Sequence, residues 1–427
     1  MPITFDNGHP WLSAYVENTS EVNNIGWYID GTAFPVSIVG ATTFLTRGKI
    51  YAVGGRIISG SYTVTGVSRY ISLDSSGIIS GSWTTGTSLP SGEGIANACA
   101  VLTKNRVYLV GGGVEFGFTQ TNKTYTAPID EDGIVGTWEA GPNLPASLRE
   151  ASVAVLNGKL YVFGGTNDAG NYLTSIYYAE IDDDGLISSW STAETGLNYG
   201  VYGASICTID NKVQLVQGCV SGGYTNNIQY ASYDNDGVLG SWTTASSGSP
   251  GAKAGGALVV KQNMAYLFGG YNSGGSTLGV YYQALATTKT LTGLGNYGYS
   301  LYEGARDIRN STVATLGRIY IFGQGMYGSI STSIFRATYN GYTNDAQSYS
   351  FDESGVSGNF VQPLAEFSGT ATTPIVGFGN FISPIIEVFG EGEIDSIGFG
   401  NFIQPLASIS GYCFNDYPAI ECDGSFD

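Results

Sequence analysis

A short apolar segment that ends in two glycines recurs along the chain and predicts its secondary structure. In residues 159–165, which read Lys-Leu-Tyr-Val-Phe-Gly-Gly, Leu160 and Val162 would lie on one face of a strand, and Tyr161 and Phe163 on the other. Because both faces are apolar, the strand is expected to be covered on both sides. The two glycines lack Cβ atoms, so they allow a sharp turn or a close approach to a neighbour.

This segment occurs six times at a nearly constant spacing. Its third residue falls at positions 51, 108, 161, 214, 266 and 320, which are separated by 57, 53, 53, 52 and 54 residues. Spacing of this kind predicts six similar structural units. The glycine pairs to which we assign a structural role are Gly54-Gly55, Gly111-Gly112, Gly164-Gly165 and Gly269-Gly270, whereas the fourth and sixth copies read Gln217-Gly218 and Gly323-Gln324.

An aromatic residue marks a second position in every unit. Tyr297 occupies this position in the last unit, and the others have tryptophans with a predicted structural role, namely Trp27, Trp83, Trp138, Trp190 and Trp242. Asn157-Gly158 is typical of a two-residue hairpin before the Gly-Gly strand, and a third apolar strand, such as residues 175–181, follows it. Each unit therefore has the four short strands of one propeller blade.

The order of these markers also predicts how the ring closes. Trp27 precedes the first Gly-Gly strand, and no tryptophan follows the last third strand near residues 333–339. Residues 25–29 are therefore expected to supply the outer strand of the last blade, which covers an otherwise open sheet edge.

A Gly-Gly strand end, a following aromatic strand and a tryptophan at a period near fifty residues resemble kelch repeats, over residues 20–340. We therefore predict an all-β protein, a six-bladed kelch-like β-propeller with a C-terminal β-rich extension. The resemblance implies either an interaction platform or an enzyme scaffold, because kelch propellers serve as both.

Three regions are predicted along the chain: an N-terminal leader at 1–20, the propeller at 21–340 and the C-terminal extension at 341–427. In the extension, Gly-Asn-Phe recurs every 21 residues, at Phe360, Phe381 and Phe402. Recurring Phe and Ile favour short strands over disorder. The repeat resembles Gly-rich β-repeats in structural proteins of tailed bacteriophages. That resemblance implies that the extension attaches the chain to other virion proteins and that the protein forms a homo-oligomer.

Composition narrows the range of partners and compartments. The chain of 427 residues is only 12% charged and has a net charge of −18, so we expect no binding to nucleic acid. We also expect no membrane insertion and, from the N-terminal sequence, no export by a signal peptide.

Cys99 and Cys207 lie in apolar strands and are expected to be buried. Cys413 and Cys422 flank a short loop, where a disulfide and two free thiols are both open.

An acidic turn follows the third strand in four units, at residues 74–77, 130–133, 182–185 and 234–237. Calcium binding is one interpretation, because Asp-x-Asp-Gly brings hard oxygen ligands together. A structural turn is the other, in which Asp caps its own backbone and Gly supplies a positive φ. The sequence favours the turn, because no bidentate acid follows at the spacing of a helix–loop–helix calcium site.

The sequence offers little catalytic chemistry, and we predict no enzymatic activity, no cofactor and no metal. The only histidine, His9, lies outside the repeats, whereas the copper site of kelch-like galactose oxidases requires two histidines and two tyrosines. We find no zinc-ligand spacing and no phosphate-binding loop. Paired carboxylates could hydrolyse glycosides, but the acidic clusters recur from unit to unit and are therefore expected to be structural.

The loops that follow the Gly-Gly strands differ between units and are expected to cluster on one rim. Their tyrosine, asparagine, serine and glycine residues suit the recognition of sugars or proteins, although ordinary solvated hairpins are the alternative. The candidate ligand-binding residues are Glu115, Phe116, Phe118, Asn167, Tyr172, Tyr224, Asn226, Tyr271, Asn272 and Tyr327.

These features together predict a phage virion structural protein that is assembled in the host cytoplasm. The propeller would bind a host-surface glycan or another virion protein, and the extension would anchor it. Two alternatives stay open. One is a bacterial kelch-like adaptor or surface binding protein, and the other is a carbohydrate-active enzyme in which a carboxylate outside the repeat pattern, such as Glu115, takes part.

Overall fold

The computed structural model divides the chain into two compact units, Ile25–Tyr339 and a second formed by Met1–Asn24 with Asn340–Asp427. The structure describes residues 27–29, 33–59, 61–114, 119–246, 248, 251–261, 264–284, 290–291, 294–305, 308, 310–315, 318–322, 325–326, 329–330 and 334–338, and five short strands between 356 and 399. The predicted leader at 1–20, Phe360, Phe381, Phe402 and the pair Cys413 and Cys422 lie outside these residues.

All regular elements in the described residues are β-strands. In the first half of the propeller they are β1 (Trp27–Ile29), β2 (Ile38–Val39), β3 (Thr42–Thr46), β4 (Lys49–Val53), β5 (Arg56–Ser59), β6 (Ser61–Val64), β7 (Ser68–Leu73), β8 (Ile79–Thr85), β9 (Cys99–Leu102), β10 (Arg106–Val110), β11 (Thr124–Pro128), β12 (Glu139–Ala140), β13 (Ser152–Leu156), β14 (Lys159–Phe163), β15 (Ile176–Glu180) and β16 (Ser191–Thr192). The remaining strands of that unit are β17 (Ser205–Ile209), β18 (Lys212–Val220), β19 (Gly223–Ser232), β20 (Thr243–Ala245), β21 (Ala257–Lys261), β22 (Met264–Phe268), β23 (Tyr271–Asn272), β24 (Gly275–Ala284), β25 (Gly295–Ala305), β26 (Thr312–Ala314), β27 (Arg318–Phe322), β28 (Gly325–Met326), β29 (Ser329–Ile330) and β30 (Ile334–Thr338). The second unit contains β31 (Val356–Ser357), β32 (Phe367–Ser368), β33 (Val376–Phe378), β34 (Val388–Phe389) and β35 (Ile397–Phe399). No helix in the described part is long and apolar enough to cross a membrane.

The larger unit consists of antiparallel sheets that we call blades and number along the chain. Blade 1 is β3-β4-β7-β8, blade 2 is β9 to β12, blade 3 is β13 to β16 and blade 4 is β17 to β20. Blade 5 is β21-β22-β24-β25, and blade 6 is β26-β27-β30-β1. The predicted all-β, kelch-like propeller is confirmed, and the described residues contain six sheets of this kind.

The first two strands of each blade form a tight hairpin. In blade 3, Leu156 pairs with Lys159, and the two connecting residues, Asn157 and Gly158, have φ values of 41° and 83°. These positive values are those of the type I′ turn that the Asn-Gly sequence predicts.

The ring is closed by the N-terminal strand, as the sequence predicted. Trp27 lies opposite Ala337, and Ile29 lies opposite Phe335, so β1 is the outer strand of blade 6. The innermost strands contact one another in chain order from β3 to β21, and β26 contacts β3. The N–H of Ile308, in the loop before β26, donates to the Gly255 carbonyl of blade 5.

Short side chains at the start of the innermost strands join neighbouring blades. The Ser152 hydroxyl donates to the Ala204 carbonyl at 2.9 Å, and the Ser205 hydroxyl donates to the Gly256 carbonyl at 2.7 Å. The equivalent bonds are Thr42 to Ala98 at 2.8 Å and Cys99 to Ala151 at 2.9 Å. Cys99 is therefore buried as predicted. Cys207 was also expected to be buried, but its side chain keeps an intermediate exposure to solvent. Its surroundings are nevertheless apolar enough that burial raises the pKa of the thiol to about 12.

The tryptophans lie between blades. Trp138 of blade 2 is buried in a cluster with Phe44 of blade 1, and the Trp242 ring of blade 4 packs edge-on against Phe163 of blade 3 at 5.8 Å. The Trp190 indole N–H donates to the Pro142 carbonyl, in the loop that follows blade 2. Trp83 of blade 1 packs edge-on against the aromatic side chains of Phe34 and of Phe322 in blade 6. The Trp27 side chain lies outside the described residues.

The acidic turns are built by their first aspartate. The Asp182 carboxylate accepts the N–H groups of Asp184 at 3.0 Å and Leu186 at 2.7 Å, and Gly185 has a φ of 75°. The carboxylates of Asp74 and Asp234 accept the same two backbone N–H groups of their own turns, and that of Asp130 accepts the Ile134 N–H at 2.7 Å. The first aspartate of each turn therefore caps its own backbone, as the structural interpretation expects.

Each of these turns is held by a tyrosine from the middle strand of the preceding blade. The Tyr108 hydroxyl donates to the Gly185 carbonyl at 3.1 Å and accepts the Ile187 N–H at 3.1 Å. The corresponding bonds are Tyr51 with the Val135 N–H at 3.0 Å, Tyr161 with the Gly237 carbonyl at 2.9 Å, and Tyr320 with the Ile79 N–H at 3.1 Å. We call this edge of the propeller the turn rim.

The departures of the fourth repeat are explained by the same contacts. Gln214, where other repeats have tyrosine, accepts the Leu291 N–H of blade 5 at 2.8 Å through its side-chain oxygen. Gly164 of blade 3 has a φ of 61°, and a Cβ there would lie 2.4 Å from the Val201 carbonyl of blade 4. Gln217 has the same φ of 61° in blade 4, and its side-chain amide donates to the Gly251 carbonyl at 3.2 Å. Both glutamines therefore preserve a link to the next blade.

The smaller unit contains short parallel strands. β31, β33 and β35 form one sheet, and β32 and β34 form another. Val356 lies opposite Gly377, and Phe367 lies opposite Val388. Each pairing spans 21 residues, so the register of the sheets equals the period of the sequence, and successive repeats stack strand on strand.

Candidate functional site

The rim at which the Gly-Gly strands end, opposite the turn rim, is built from one backbone pattern. There the residue after the glycine pair, or after Gln217-Gly218 in blade 4, forms a bridge with the third residue before an innermost strand. The pairs are Ala96 with Gly113, Arg149 with Thr166, Tyr202 with Cys219 and Ala254 with Tyr271. The backbone pairing repeats from blade 2 to blade 5, whereas the pair of residues that it joins differs in every blade.

Four tyrosines from blades 3, 4 and 5 converge on this rim. Tyr172 stacks on Tyr202, with ring centroids 5.3 Å apart and an interplanar angle of 13°. Tyr224 meets Tyr271 edge to face, with centroids 5.8 Å apart. The buried Cys219 packs among them and joins the two pairs into one cluster. We call this group the tyrosine cluster and the edge that carries it the tyrosine rim.

Two phenol groups of this cluster, those of Tyr172 and Tyr202, have raised pKa values that favour the neutral form. Burial raises the pKa of Tyr202, and its hydrogen bond with Cys219 and the nearby Glu150 carboxylate raise it further. The pKa of Tyr172 is raised by burial and by the same thiol. A neutral phenol can both donate and accept a hydrogen bond, so the cluster combines aromatic faces with polar edges.

An ion pair with a buried carboxylate lies beside the cluster. Glu150 is 6% exposed and has a φ of 54°, at a position where blades 1, 4 and 5 have glycine. The Arg149 guanidinium donates to its carboxylate at 2.7 Å.

A cavity of about 630 Å³ opens next to the tyrosine cluster, between blades 3 and 4. Its polar lining comes from the loop before β15, the loop before β17 and the β18–β19 hairpin. The side chains that contribute are Asn171, Tyr172, Tyr199, Ser221, Thr225 and Asn227. Tyr172 thus belongs to both the cluster and the cavity.

Backbone contacts fix the loops around this cavity. Gly200 lies so close to blade 3 that a Cβ would come 2.1 Å from the Tyr172 carbonyl. The buried Gln229 amide bonds both backbone groups of Tyr199, accepting its N–H at 3.4 Å and donating to its carbonyl at 3.3 Å. The Tyr199 hydroxyl is hydrogen bonded to the side chains of Thr225 and Asn227. The lining is therefore held in place from both blades.

The structure brings three of the predicted ligand-binding residues together, namely Tyr172, Tyr224 and Tyr271. Two others stabilise the turns in which they lie. The side-chain oxygen of Asn167 accepts the Asn171 N–H at 3.0 Å, and the side-chain oxygen of Asn272 accepts the Gly274 N–H at 2.9 Å. Asn226 is half-buried in β19 and does not line the cavity. Glu115, Phe116, Phe118 and Tyr327 lie outside the described residues.

Sequence reasoning missed the residues that precede the innermost strands. Tyr202 occupies the position that Arg149 has one repeat earlier, so an alignment of those loops would have shown the substitution. Tyr199 and Gln229 carry no signal of their own, because their importance arises only from hydrogen bonds between distant positions of blade 4.

The groups that the described part of this rim presents are suited to binding. Within the described residues, no three His, Cys, Asp or Glu side chains come together in a way that could hold a metal ion. The carboxylate nearest the cluster, that of Glu150, is engaged by Arg149. The remaining groups stack, donate and accept.

Comparison with known proteins identifies the family. A model described as the KLHDC2/KLHL20/DRC7 Kelch-repeats domain matches residues 97–324, more than half of the chain. The chain belongs to the kelch-repeat family. The resemblance predicted from the repeats is thus confirmed for the propeller, whereas the match ends before the C-terminal extension, whose resemblance to phage repeats stays a prediction.

Two further kelch-type similarities agree with this assignment. The Kelch-like protein terF of Aspergillus terreus (strain NIH 2624 / FGSC A1156) is 24% identical over 221 residues, which cover 48% of this chain and 44% of the relative. The chain thus spans less than half of that protein. The solved structure of YjhT has a TM-score of 0.54 at 15% identity, covering 72% of this chain and 94% of that structure, and it supports the fold alone. Kelch propellers are typically binding domains without catalytic activity, which favours a binding role.

Proposed function

We propose that this kelch propeller is a non-catalytic recognition module and that the tyrosine rim over blades 3, 4 and 5 is its contact surface. The observation that supports the proposal is the convergence of Tyr172, Tyr202, Tyr224 and Tyr271 from three blades. Elsewhere in the described repeats, the recurring tyrosines of the middle strands are committed to holding turns.

Tyrosine suits this role for physical reasons. Its ring provides a large contact area and loses few rotatable bonds on binding, while its hydroxyl directs hydrogen bonds. Residues of this type are enriched among those that contribute most to binding energy. The ring contacts within the cluster also fix the side chains before a partner arrives, which lowers the entropic cost of binding.

Site-specific photocrosslinking tests which rim is the contact surface. Benzoylphenylalanine would replace Tyr224 on the tyrosine rim or, as the control, Val238 of the same blade, which is 51% exposed on the turn rim. The variants are exposed to protein and polysaccharide from cells that encode the chain. We expect adducts when the crosslinker is at position 224 and none when it is at position 238. Those adducts should decrease when Tyr202→Ala is added. Adducts confined to position 238 would refute the proposal.

We further propose, from composition and the C-terminal repeats, that the module is displayed on a phage particle. In that setting the extension would attach it to other virion proteins as a homo-oligomer, and the tyrosine rim would face a host-surface glycan or a second virion protein. The parallel stacking of successive 21-residue repeats supports an assembly role for the extension. Mass spectrometry of purified particles should detect the chain. Its presence in uninfected cells, and its absence from particles, would favour the adaptor role instead.

A further inference from the structure

We propose that the cavity between blades 3 and 4 binds a neutral sugar residue of a saccharide. This inference rests on the proposed recognition function and names the ligand class of the same rim. The sugar would be an uncharged hexose or N-acetylhexosamine, held by Asn171, Tyr172, Tyr199, Ser221, Thr225 and Asn227.

The size of the cavity suits such a ligand. Small-molecule sites in proteins range from about 300 to 1,000 Å³, and this cavity measures about 630 Å³. It has room for one sugar ring, together with part of a second ring or ordered water. The loops around it are held by Gln229 and by the close approach at Gly200, so the site is formed before the ligand arrives.

The polar groups of the lining match a polyol. Two amides, two aliphatic hydroxyls and two phenols supply both donors and acceptors, and a sugar hydroxyl uses both at once. Because the Tyr199 hydroxyl is bonded to Thr225 and Asn227, these groups are arranged as one network rather than as separate contacts. A network of this kind rejects ligands that lack hydroxyl groups, since it would be left partly unpaired.

The apolar part of the lining argues against a peptide anchor. All the lining residues lie in the described part of the chain, and Val220 is the only aliphatic side chain among them. The other apolar surface of the lining belongs to the rings of Tyr172 and Tyr199. Peptides are usually held by adding a strand to a sheet edge or by burying an aliphatic or aromatic side chain in an apolar pocket. A sugar instead offers C–H groups on one face of its ring, which pack against an aromatic ring.

Charge selects against acidic sugars. None of the residues that line the cavity is charged, so no guanidinium or ammonium in the lining could pair with a carboxylate. The chain as a whole carries a net charge of −18, which repels anions over a longer range. Sialic acid and glucuronic acid should therefore bind much more weakly than neutral sugars.

The test measures binding of defined sugars to the full chain by ligand-observed NMR titration. The probes are the methyl glycosides of glucose, galactose, mannose, N-acetylglucosamine and N-acetylgalactosamine, with those of glucuronic acid and sialic acid for comparison. We expect saturable binding of at least one neutral glycoside and at least about tenfold weaker binding of both acidic ones. A second arm presents the bound sugar as the terminal residue of an immobilised polysaccharide, which distinguishes a free saccharide from a surface glycan as the source.

Variants then place the ligand. Asn227→Ala and Tyr199→Phe should each weaken binding by about tenfold, as expected for one lost hydrogen bond in a closed network. Tyr233→Phe is the matched control. It removes a hydroxyl that donates to the Asp210 carbonyl at 2.7 Å, at the other end of the strand that carries Thr225 and Asn227, and should leave binding unchanged.

Three outcomes would overturn the inference: no binding by any neutral glycoside, stronger binding by the acidic sugars, or neutral binding that Asn227→Ala and Tyr199→Phe leave unchanged. If crosslinks still form at position 224 in such a case, the cavity assignment fails while the proposed recognition function stands. If crosslinks fail and the neutral sugar binds in the cavity, the recognition surface is limited to the cavity.

Discussion

The two rims of the propeller share one set of repeats and use them in opposite ways. On the turn rim, the same hydrogen bonds recur from blade to blade, and even Gln214 reproduces the bond of the tyrosine that it replaces. On the tyrosine rim, the backbone bridge recurs, but it carries Ala96, Arg149, Tyr202 and Ala254 in successive blades.

This difference separates the scaffold from the site. A contact that every blade makes contributes to the geometry of the ring and carries no information about a ligand. A surface on which the backbone is constant and the side chains vary is suited to recognition, because the fold does not determine those side chains. We therefore expect changes on the turn rim to alter stability and changes on the tyrosine rim to alter binding.

The largest expected effect on stability is that of Trp138→Ala. Trp138 is 3% exposed between blades 1 and 2, so its removal leaves a cavity and should lower the free energy of unfolding by about 3–5 kcal/mol. Urea denaturation followed by circular dichroism measures this loss. Tyr224→Ala, on the tyrosine rim, is the control and should lower the free energy of unfolding clearly less. Equal losses for the two variants would contradict the division between the rims.

The next largest effect should follow Gln214→Leu. Gln214 is fully buried, and leucine would leave the Leu291 N–H without its acceptor, at a cost of about 1–3 kcal/mol. Thermal unfolding of the variant beside the original protein measures the change. Gln214→Glu keeps an acceptor oxygen at that position, so at low pH it should recover part of the loss. An unchanged unfolding midpoint for Gln214→Leu would mean that the bond is not needed to join blades 4 and 5.

A smaller effect, dependent on pH, is expected for Tyr161→Phe. At neutral pH the variant loses the bond to the Gly237 carbonyl and should be less stable by about 0.5–1.5 kcal/mol. Burial raises the pKa of Tyr161 from 10.0 to about 12. The folded state therefore holds this proton more tightly than the unfolded state, and stability falls as pH rises from about 10 towards 12. Tyr161→Phe should show a shallower loss over that range, as measured by urea midpoints at successive pH values. A steeper loss in the variant would refute the assignment.

The smallest effect is expected from calcium. In three of the four acidic turns, the carboxylate of the first aspartate already accepts two N–H groups of its own turn. Its oxygen atoms therefore have fewer lone pairs available to bind a cation. Addition of about 1 mM calcium, at the weak end of the range for protein sites, should leave the melting temperature unchanged. The same concentration of magnesium is the control. A rise seen with calcium alone would restore the calcium interpretation of these turns.

The sequence revealed what recurs in this protein better than what is singular. The period of the Gly-Gly segment and the position of Trp27 predicted the blades and the closing strand, because each obeys a local rule repeated along the chain. The role of Gln214 was not predictable, since an amide replaces a phenol only when a particular N–H of another blade lies opposite it. Tyr172, Tyr224 and Tyr271 were found as loop tyrosines. Tyr202 gains its place from its stacking on Tyr172 of another blade, and Tyr199 from hydrogen bonds to β19 of its own blade.

The pairing of β1 with β30 also determines when the propeller can be completed during synthesis. The two strands are separated by about 310 residues, from Trp27 to Ala337. At the usual ribosomal rate of about 5–20 residues per second, the first strand waits for its neighbour for about 15–60 s. A nascent chain that stalls before residue 334 exposes a free strand and an unfinished ring, and both can pair with another molecule. Joining the two ends of the ring is thus the last event in its biogenesis and the step most exposed to misassembly.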